Sequence, residues 1–203
     1  MVNILSIKTR QKYLKNLGFY KGDIDGIEGI LTKNAYRNIQ KKYFTRTSDI
    51  DGIYGENTEK LLRNAERVRL YTKSFKLEEF KCECGGKYCT GYPSLINIKL
   101  LKYAQLLRNK YGAIYITSAL RCQTYNSIIG GIRGSKHTLG KAIDWYSNYS
   151  FKSFSNRKKI INWYANNCIS MNYAYCDGYA RTKYRKEYPS VPSMYKSIHC
   201  DVK

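Results

Sequence analysis

The chain has 203 residues and a formal net charge of +21, because it contains 36 lysines and arginines but only 15 acidic residues. This length allows one large domain or two small ones, each with a buried core. A charge this positive predicts a polyanionic partner, which could be nucleic acid, an anionic membrane surface or a wall carrying phosphate polymers. No apolar run approaches the roughly 20 residues of a membrane-spanning helix, so the composition argues against a membrane span.

The first third of the chain predicts three helices joined by two similar turns. Apolar residues recur there at helical spacing, and Gly18 ends the first helix. The apolar positions are Ile7, Leu14 and Leu17, then Ala35, Ile39 and Tyr43, then Leu61, Leu62, Ala65 and Val68. The turns at residues 24–29 and 50–55 share the pattern Ile-Asp-Gly-Ile-x-Gly, in which Asp-Gly reverses the chain just before a helix.

This doubled turn in a small helical unit resembles the peptidoglycan-binding domain that accompanies many cell-wall hydrolases. The matching stretch is Leu-Gly-Phe-Tyr-Lys-Gly-Asp-Ile-Asp-Gly at residues 17–26, and the resemblance extends over residues 4–68. It implies the peptidoglycan of a Gram-positive-type wall as partner. Since glycine and aspartate are also ordinary turn residues, no single one is assigned to a sugar. We predict a peptidoglycan-binding-like helical domain over residues 1–68 and an irregular linker over residues 69–76.

The remainder, residues 77–203, mixes helices with short strands. After Pro93, apolar residues at helical spacing predict a helix that ends at Gly112, and residues 113–118 predict a buried strand. A further helix is expected from Ser155 onwards, and residues 197–202 are expected to form a final strand. Because helices and strands do not alternate regularly, the predicted fold class is α+β rather than a doubly wound sheet.

The two histidines of the chain, His137 and His199, form with Asp144 the first candidate metal site. Small residues around His137 let the backbone turn tightly. Two imidazoles and a carboxylate, with one position left for water, are the usual donors of a catalytic zinc, although the three could also be unrelated structural residues. Iron takes a similar set, here His199, Asp201 and a distant histidine, but the His-x-Asp pair usually comes first in iron oxygenases and here comes last.

Seven cysteines leave at least one thiol without a partner in the chain. Cys82, Cys84 and Cys89 cluster around two glycines, where either a disulfide or a structural zinc with a fourth ligand from elsewhere would fit. Their spacing is not one of the strong zinc patterns. We favour reduced, partly buried thiols. The same interpretation applies to Cys122, Cys168, Cys176 and Cys200.

Several motifs resemble the M15 zinc peptidases. They are Thr-Ser-Ala-Leu-Arg at 117–121, Tyr-Asn at 125–126, Gly-Gly at 130–131, Ser-Lys-His-Thr-Leu-Gly-Lys-Ala-Ile-Asp at 135–144 and Ile-His-Cys-Asp-Val at 198–202. With Phe-Lys-Cys-Glu-Cys-Gly at 80–85, the chain is similar to the Phe-x-Cys-x-Cys-Gly branch seen in phage and bacterial wall enzymes. The resemblance spans residues 75–203. It implies an M15-like α+β zinc peptidase domain, residues 77–203, with a short antiparallel sheet.

The resemblance implies that zinc is held by His137, Asp144 and His199, the same residues that their chemistry selects. Arg121 matches the family arginine that holds a substrate carbonyl or carboxylate, although a surface ion pair would be its ordinary role. Ser135 and Asn126 are placed with Arg121 among the substrate-binding residues. Ser135 could also support the metal site from behind or cap a turn.

Of the catalytic roles, these motifs identify the residue that acts as general base least clearly. Many members of the family carry Glu or Asp three residues before the last histidine, where this chain has Lys196. Asp201 lies two residues after His199, and alternate residues of a strand share a face, so we predict Asp201 as the base. Asp201 could instead orient a ligand, and Asp177 is an alternative from a loop.

Together the resemblances imply a phage endolysin-like zinc peptidase that cleaves a stem amide of peptidoglycan, of the L-alanyl-D-glutamate type. The alternatives are a D-alanyl-D-alanine carboxypeptidase and an inactive wall-binding or virion structural protein. The first residues lack the apolar core and cleavage site of a signal peptide. We therefore expect a protein that is made in the host cytoplasm and acts at the cell wall. We also expect a monomer. The charge suits anionic wall polymers, whereas no recognised motif supports a nucleic-acid partner.

Overall fold

The computed structural model describes residues 4–187, 194 and 196–203. The N-terminal part contains the three predicted helices, α1 (Ile7–Asn16), α2 (Ile30–Tyr43) and α3 (Glu56–Tyr71). Helix α1 begins after Ser6, whose hydroxyl accepts a hydrogen bond from the amide of Thr9, as a capping side chain does. Apart from Ile7, which is only half-buried, the apolar residues predicted on the three helices lie in the core or pack against it.

The two Asp-Gly turns are closed by one hydrogen-bond arrangement that occurs twice. In the first turn, Gln11 Nε2 donates to Asp25 Oδ1 at 2.7 Å, and the amide of Gly26 donates to Gln11 Oε1 at 2.9 Å. In the second turn, Gln40 makes the same two bonds with the equivalent aspartate and glycine, at 2.9 and 2.8 Å. The side chains of this repeat therefore satisfy one another, and their role in the turns is architectural.

Helix α3 corrects the start of the predicted linker. It continues to Tyr71, and the amide and hydroxyl of Thr72 both donate to the carbonyl of Val68 at its end, at 3.0 and 2.8 Å. The spacing of apolar residues did not predict the last turn of α3, because this turn buries little apolar surface. Leu70, for example, is 54% exposed. The boundaries placed at residues 68 and 77 otherwise stay a prediction.

The helical part packs directly on the rest of the chain. Asn64, fully buried on α3, donates from Nδ2 to the carbonyl of Ser94 at 2.9 Å and accepts from the amide of Ile96 at 2.8 Å. The ring of Tyr43 meets that of Tyr92 edge-on, with centroids 6.2 Å apart. One apolar core therefore extends through both parts of the molecule.

The second part is built on an antiparallel sheet with helices packed against it. Its elements are α4 (Ile98–Tyr111), β1 (Ile114–Ser118), α5 (Gln123–Ile128), β2 (Ala142–Ser147), α6 (Asn148–Lys152), α7 (Phe154–Asn167), β3 (Met171–Cys176), β4 (Tyr179–Thr182), β5 (Lys186–Glu187) and β6 (Ile198–Val202). The strand order is β1-β2-β6-β3-β4-β5, and all neighbours run antiparallel. The α+β class is confirmed. Within the described residues, no helix has the length and hydrophobicity needed to cross a bilayer.

The sequence predicted the strands at the two ends of this part but not those between them. Strand β2 is an interior strand, paired with β1 on one side and β6 on the other. Its sequence, Ala-Ile-Asp-Trp-Tyr-Ser, has no polar alternation because five of its six residues are buried. It also contains Asp144, which local propensity assigns to a turn. Pairing on both sides overrides that preference and places a carboxylate inside the sheet.

Candidate metal centre

Sheet register brings together the residues of the candidate site. Asp144 on β2 is paired with His199 on β6, and His199 is paired with Tyr175 on β3. Because paired residues of antiparallel strands point to the same face, the three side chains form one row. Asp144 Oδ1 lies 2.7 Å from His199 Nδ1, and the Tyr175 ring stacks on His199 with centroids 4.6 Å apart.

His137 reaches this row from the loop that precedes β2. Its Nδ1 lies 2.7 Å from the carbonyl oxygen of Ala119, so Nδ1 donates to that oxygen and Nε2 is left facing Asp144 Oδ2 at 3.3 Å. Gly140 shapes the loop: its φ is +65°, and a Cβ there would lie 2.2 Å from the carbonyl oxygen of Leu95. A carbonyl that fixes one ring nitrogen is a typical support for a metal-binding histidine.

The three predicted ligands do converge. One ligand atom from each of His137, Asp144 and His199 lies within 4.8 Å of the other two. All three residues are buried, with 3% to 8% of their surface exposed. Two imidazole nitrogens and a carboxylate oxygen at this spacing fit a zinc-like metal. The donors come from a loop and two strands that are far apart in sequence.

Electrostatics keep the carboxylate of Asp144 charged. Burial by itself would raise the pKa of Asp144, but hydrogen bonds from His137 and His199 outweigh it and hold that pKa well below its usual range. Arg121 Nη2 donates to Asp144 Oδ2 at 2.7 Å. Asp144 is therefore anionic at neutral pH, and only that form is a metal ligand.

His199 lies between two carboxylates. Its Nδ1 faces Asp144, and its Nε2 lies 3.3 Å from Asp201 Oδ2. Burial acts to lower the pKa of His199, yet the two carboxylates raise it to about 9. The other oxygen of Asp201 accepts a hydrogen bond from the amide of Tyr173 at 2.7 Å. These contacts match the second role considered for Asp201, orientation of a ligand; its role as base stays a prediction.

The side chain of Arg121 lines the cleft instead of forming an ion pair on the protein surface. Its side chain is 15% exposed. Its Nε donates to Ser118 Oγ at 2.8 Å, and its amide donates to the carbonyl of His137 at 3.3 Å. The guanidinium is thus held by Ser118 and Asp144 at the edge of the cleft, where one face can meet a substrate.

Ser135 and Asn126, both predicted to bind substrate, also or instead make contacts that hold the protein's own loops. Ser135 does line the cleft, and its carbonyl accepts a hydrogen bond from Thr138 Oγ1 at 2.7 Å, as in a turn. The prediction that Asn126 binds substrate is corrected by the structure, because Asn126 is 1% exposed and lies outside the described lining of the cleft. Its Nδ2 donates to the carbonyl of Ile132 at 3.1 Å, and its carbonyl accepts from the amide of Gly131 at 2.7 Å. Asn126 therefore supports the loop that forms the rim.

Neither Lys196 nor Asp177 belongs to the cleft lining as described. Lys196 has a φ of +67° and places Nζ over the Phe151 ring, 4.3 Å from its centroid. Asp177 Oδ1 accepts a hydrogen bond from the amide of Met194 at 2.6 Å, and its Oδ2 lies 4.0 Å from Arg157. Asp177 is thus engaged by Met194 and Arg157 outside the cleft, which does not support the alternative that it acts as base.

The site opens into a cleft of about 730 Å³. The rim loop, residues 129–136, lines one side, and residues of β3 and β4 line the other. Sequence reasoning missed Tyr175, whose position depends on the pairing of β3 with β6. Burial raises the pKa of Tyr175 to about 12, so its hydroxyl remains a hydrogen-bond donor at neutral pH.

Glu83, an exposed residue outside the described lining of the cleft, is close enough to feel the charges of the site. Burial, Cys82 and Asp144 raise its pKa, while Arg121 and Ser118 act in the opposite direction. A carboxyl group in the electrostatic field of a cleft is a candidate for proton transfer. Its place between two cysteines of the Phe-x-Cys-x-Cys-Gly motif was the available signal, although the sequence shows nothing that joins this motif to Asp144.

Comparison with known proteins agrees with this geometry. Residues 73–166, which include Arg121, His137 and Asp144, match the family model for Peptidase M15. Residues 5–62 match the family model for a peptidoglycan-binding domain. No curated protein matches the chain. His199 lies beyond the matched segment and joins the site through β6. Residues 73–166 are therefore similar to the M15 peptidases and residues 5–62 to peptidoglycan-binding domains, and this combination supports a cell-wall peptidase.

Proposed function

We propose that this protein is a phage endolysin-type zinc endopeptidase that cleaves an amide of the peptidoglycan stem, of the L-alanyl-D-glutamate type. The observation that carries the proposal is the convergence of His137, Asp144 and His199 on one point of an open cleft. A peptidoglycan-binding domain that shares a core with the peptidase domain supports the wall as substrate. Synthesis in the host cytoplasm, action at the wall and a monomeric state belong to the same proposal.

His137, Asp144 and His199 are the residues that would hold zinc. When bound, zinc supplies Lewis acidity, which polarises a carbonyl oxygen and acidifies water. The protein prepares its ligands: Asp144 is anionic, the Ala119 carbonyl orients one imidazole, and Asp201 orients the other. These supports fix which ring nitrogens face the ion.

The other groups of the cleft act on the substrate and on the proton. Arg121 offers its guanidinium N–H groups to the scissile carbonyl, where negative charge develops as water attacks the carbonyl carbon. The Tyr175 hydroxyl is a second donor on the same face. Of the two carboxylates in the described lining, Asp144 would be a ligand, so Asp201 is the proposed group that takes the proton from water and returns it to the leaving amine; in that role its Oδ2 would have to leave His199 Nε2. Glu83 is the alternative acceptor.

A D-alanyl-D-alanine carboxypeptidase is the second candidate, and one observation favours it. Arg121 and Lys136 both line the cleft, and two cations beside the ligands could hold a terminal carboxylate as well as a carbonyl. An inactive wall-binding or virion protein fits less well, because it would not need three ligands and their supports.

The test is loss of turbidity in purified Gram-positive walls, followed by mass spectrometry of the released fragments. Wild-type protein should clear the walls and expose new amino-terminal D-glutamate. Chelator should stop clearing, added zinc should restore it, and His137→Ala should remain inactive with zinc. Release of D-alanine without clearing would establish the carboxypeptidase. Binding without any released fragment would leave only a wall-binding protein.

A further inference from the structure

A second cluster of metal-ligand side chains lies behind Arg121, away from the cleft. The Sγ atoms of Cys82, Cys84, Cys89 and Cys122 all lie within 4.8 Å of one another. Three of them come from one loop, and Cys122 comes from the segment before α5. The fourth ligand that the sequence could not identify is therefore supplied from about forty residues along the chain. All seven cysteines carry free thiols.

The spacing of the four sulfurs is compatible with a tetrahedral site. Sulfurs held about 2.3 Å from a zinc ion at tetrahedral corners lie about 3.8 Å apart. The Sγ atoms of Cys84 and Cys89 are 3.5 Å apart. Disulfides would join the thiols two by two, each with an S–S bond of about 2.05 Å, whereas here every thiol has three close neighbours.

The surroundings of the thiols suit thiolates in a closed site. The amide of Cys122 donates to Cys82 Sγ at 3.3 Å, and the amide of Gly91 donates to Cys89 Sγ at 3.4 Å. Cys82, Cys84 and Cys122 are buried in a small cluster separate from the main core. A loop with so little apolar packing of its own needs another source of stability. Structural zinc sites are closed in this way, while catalytic ones keep a position open.

We propose that Cys82, Cys84, Cys89 and Cys122 bind one structural Zn²⁺ ion. The ion would join the cysteine loop to the residue that follows Arg121, and so position that arginine beside Asp144. This site is distinct from the histidine site and does not depend on the proposed substrate.

The same loop also contacts the peptidoglycan-binding part. Lys81 Nζ lies 2.7 Å from Thr45 Oγ1. A Cβ on Gly86, which has a φ of +85°, would lie 2.8 Å from Thr45 Cβ. Zinc bound by the cysteines would therefore stabilise the contact between the two parts as well as the position of Arg121.

The test is the metal content of the full-length protein, purified with reductant and without chelator. Wild type should carry about two zinc ions per chain, and His137→Ala should keep about one. Adding Cys122→Ser to His137→Ala should remove the remaining zinc. Adding Cys176→Ala, at a buried cysteine outside the cluster, should leave it in place. Retention of zinc in the His137→Ala/Cys122→Ser double variant would overturn the proposal.

Cobalt substitution gives a readout that is independent of zinc counting. Co²⁺ loaded into His137→Ala should show thiolate-to-metal charge-transfer absorption, and Cys89→Ser should weaken or abolish it. If the cysteine variants do not fold, an organomercurial titration of His137→Ala can replace them, since blocking the thiols of the cluster should release its one zinc ion to a metal-sensitive dye. Absence of charge-transfer absorption, bound iron instead of zinc, or disulfides among the four cysteines would each refute the proposal.

Discussion

Two clusters of metal-ligand side chains lie on either side of the Arg121-Cys122 peptide, and they differ in access. His137, Asp144 and His199 face a cleft of about 730 Å³, whereas the four thiols lie outside its described lining, three of them buried and Cys89 partly buried. The first cluster has donors of mixed type, held by further hydrogen bonds. The second has four identical donors.

This difference separates a site built for chemistry from one built for stability. An open position next to a metal admits substrate and water, while a closed tetrahedron contributes only folding energy. Arg121 belongs to the first cluster and its neighbour Cys122 to the second, so the stable site can position the reactive one. The predictions below test this division of roles, from the largest expected effect to the smallest.

Replacement of His137 by alanine should abolish hydrolysis without unfolding the protein. The expected loss exceeds the ~10²–10³-fold that removal of a single oxyanion donor costs, because the metal itself is lost. Assays on soluble stem peptides give the rate, and thermal unfolding gives the stability. A variant that keeps activity, or that unfolds as readily as Cys122→Ser, would contradict the division between the two clusters.

Arg121→Lys should lower kcat by ~10²-fold while zinc remains bound, the size of effect seen when one donor to a developing oxyanion is lost. Lysine keeps the charge but loses the planar fork that meets Ser118 and Asp144 together. The matched control is Arg67→Lys, which changes an arginine bonded to the carbonyl of Ile96 outside the cleft. Equal kcat values in the two variants would show that Arg121 is only an ion-pair partner.

Asp201→Asn separates the two roles considered for Asp201. If Asp201 orients His199, zinc affinity should fall ~10–100-fold and activity should return at saturating zinc. If it is the base, kcat should stay low even when zinc is saturating. Glu83→Gln, measured in parallel, should leave zinc affinity unchanged and lower kcat only if Glu83 accepts the proton.

The pKa of His199 predicts how zinc binding depends on pH. In the metal-free protein this pKa is raised from 6.5 to about 9. The stability that the protonated ring contributes is therefore fully present below pH 6.5 and is lost as pH rises through 9. Zinc must displace that proton, so its apparent affinity should rise about tenfold per pH unit until pH 9.

Competition titrations with a chelator of known affinity would measure this slope. Asp201→Asn removes one of the two carboxylates that raise the pKa, so it should shift the upper end of the slope to lower pH. An affinity that does not change with pH would show that His199 binds no proton in the metal-free protein.

Salt should have the smallest effect, on wall binding rather than on catalysis. A net charge of +21 attracts phosphate-rich wall polymers, and 0.1 M salt screens surface charges beyond about 10 Å. Binding to intact walls should fall a few-fold as salt rises, and binding to walls stripped of anionic polymer should change little. If neither added salt nor removal of the anionic polymer changes wall binding, the peptidoglycan-binding domain recognises the wall by shape alone.

Much of this molecule follows from local sequence. Helices α1, α2 and α3 bury apolar residues at helical spacing, and their turns carry Asp-Gly where a reversal needs it. The sequence also predicted that His137, Asp144 and His199 form one candidate metal site, and the structure brings them together; the chain has only two histidines and the surrounding motifs are specific. Residue type and order were enough for these conclusions, since each depends on neighbours in the chain or on a recognisable pattern.

Other features were decided only by the tertiary structure. The row from Asp144 to Tyr175 exists because β6 inserts between β2 and β3, and no local pattern encodes that pairing. Asn126 lies in a family motif but is buried by the loop it supports. Cys122 becomes the fourth thiol of its cluster only when α5 is brought to the cysteine loop. Contacts between distant segments depend on the packing of the whole chain, which spacing along the sequence does not report.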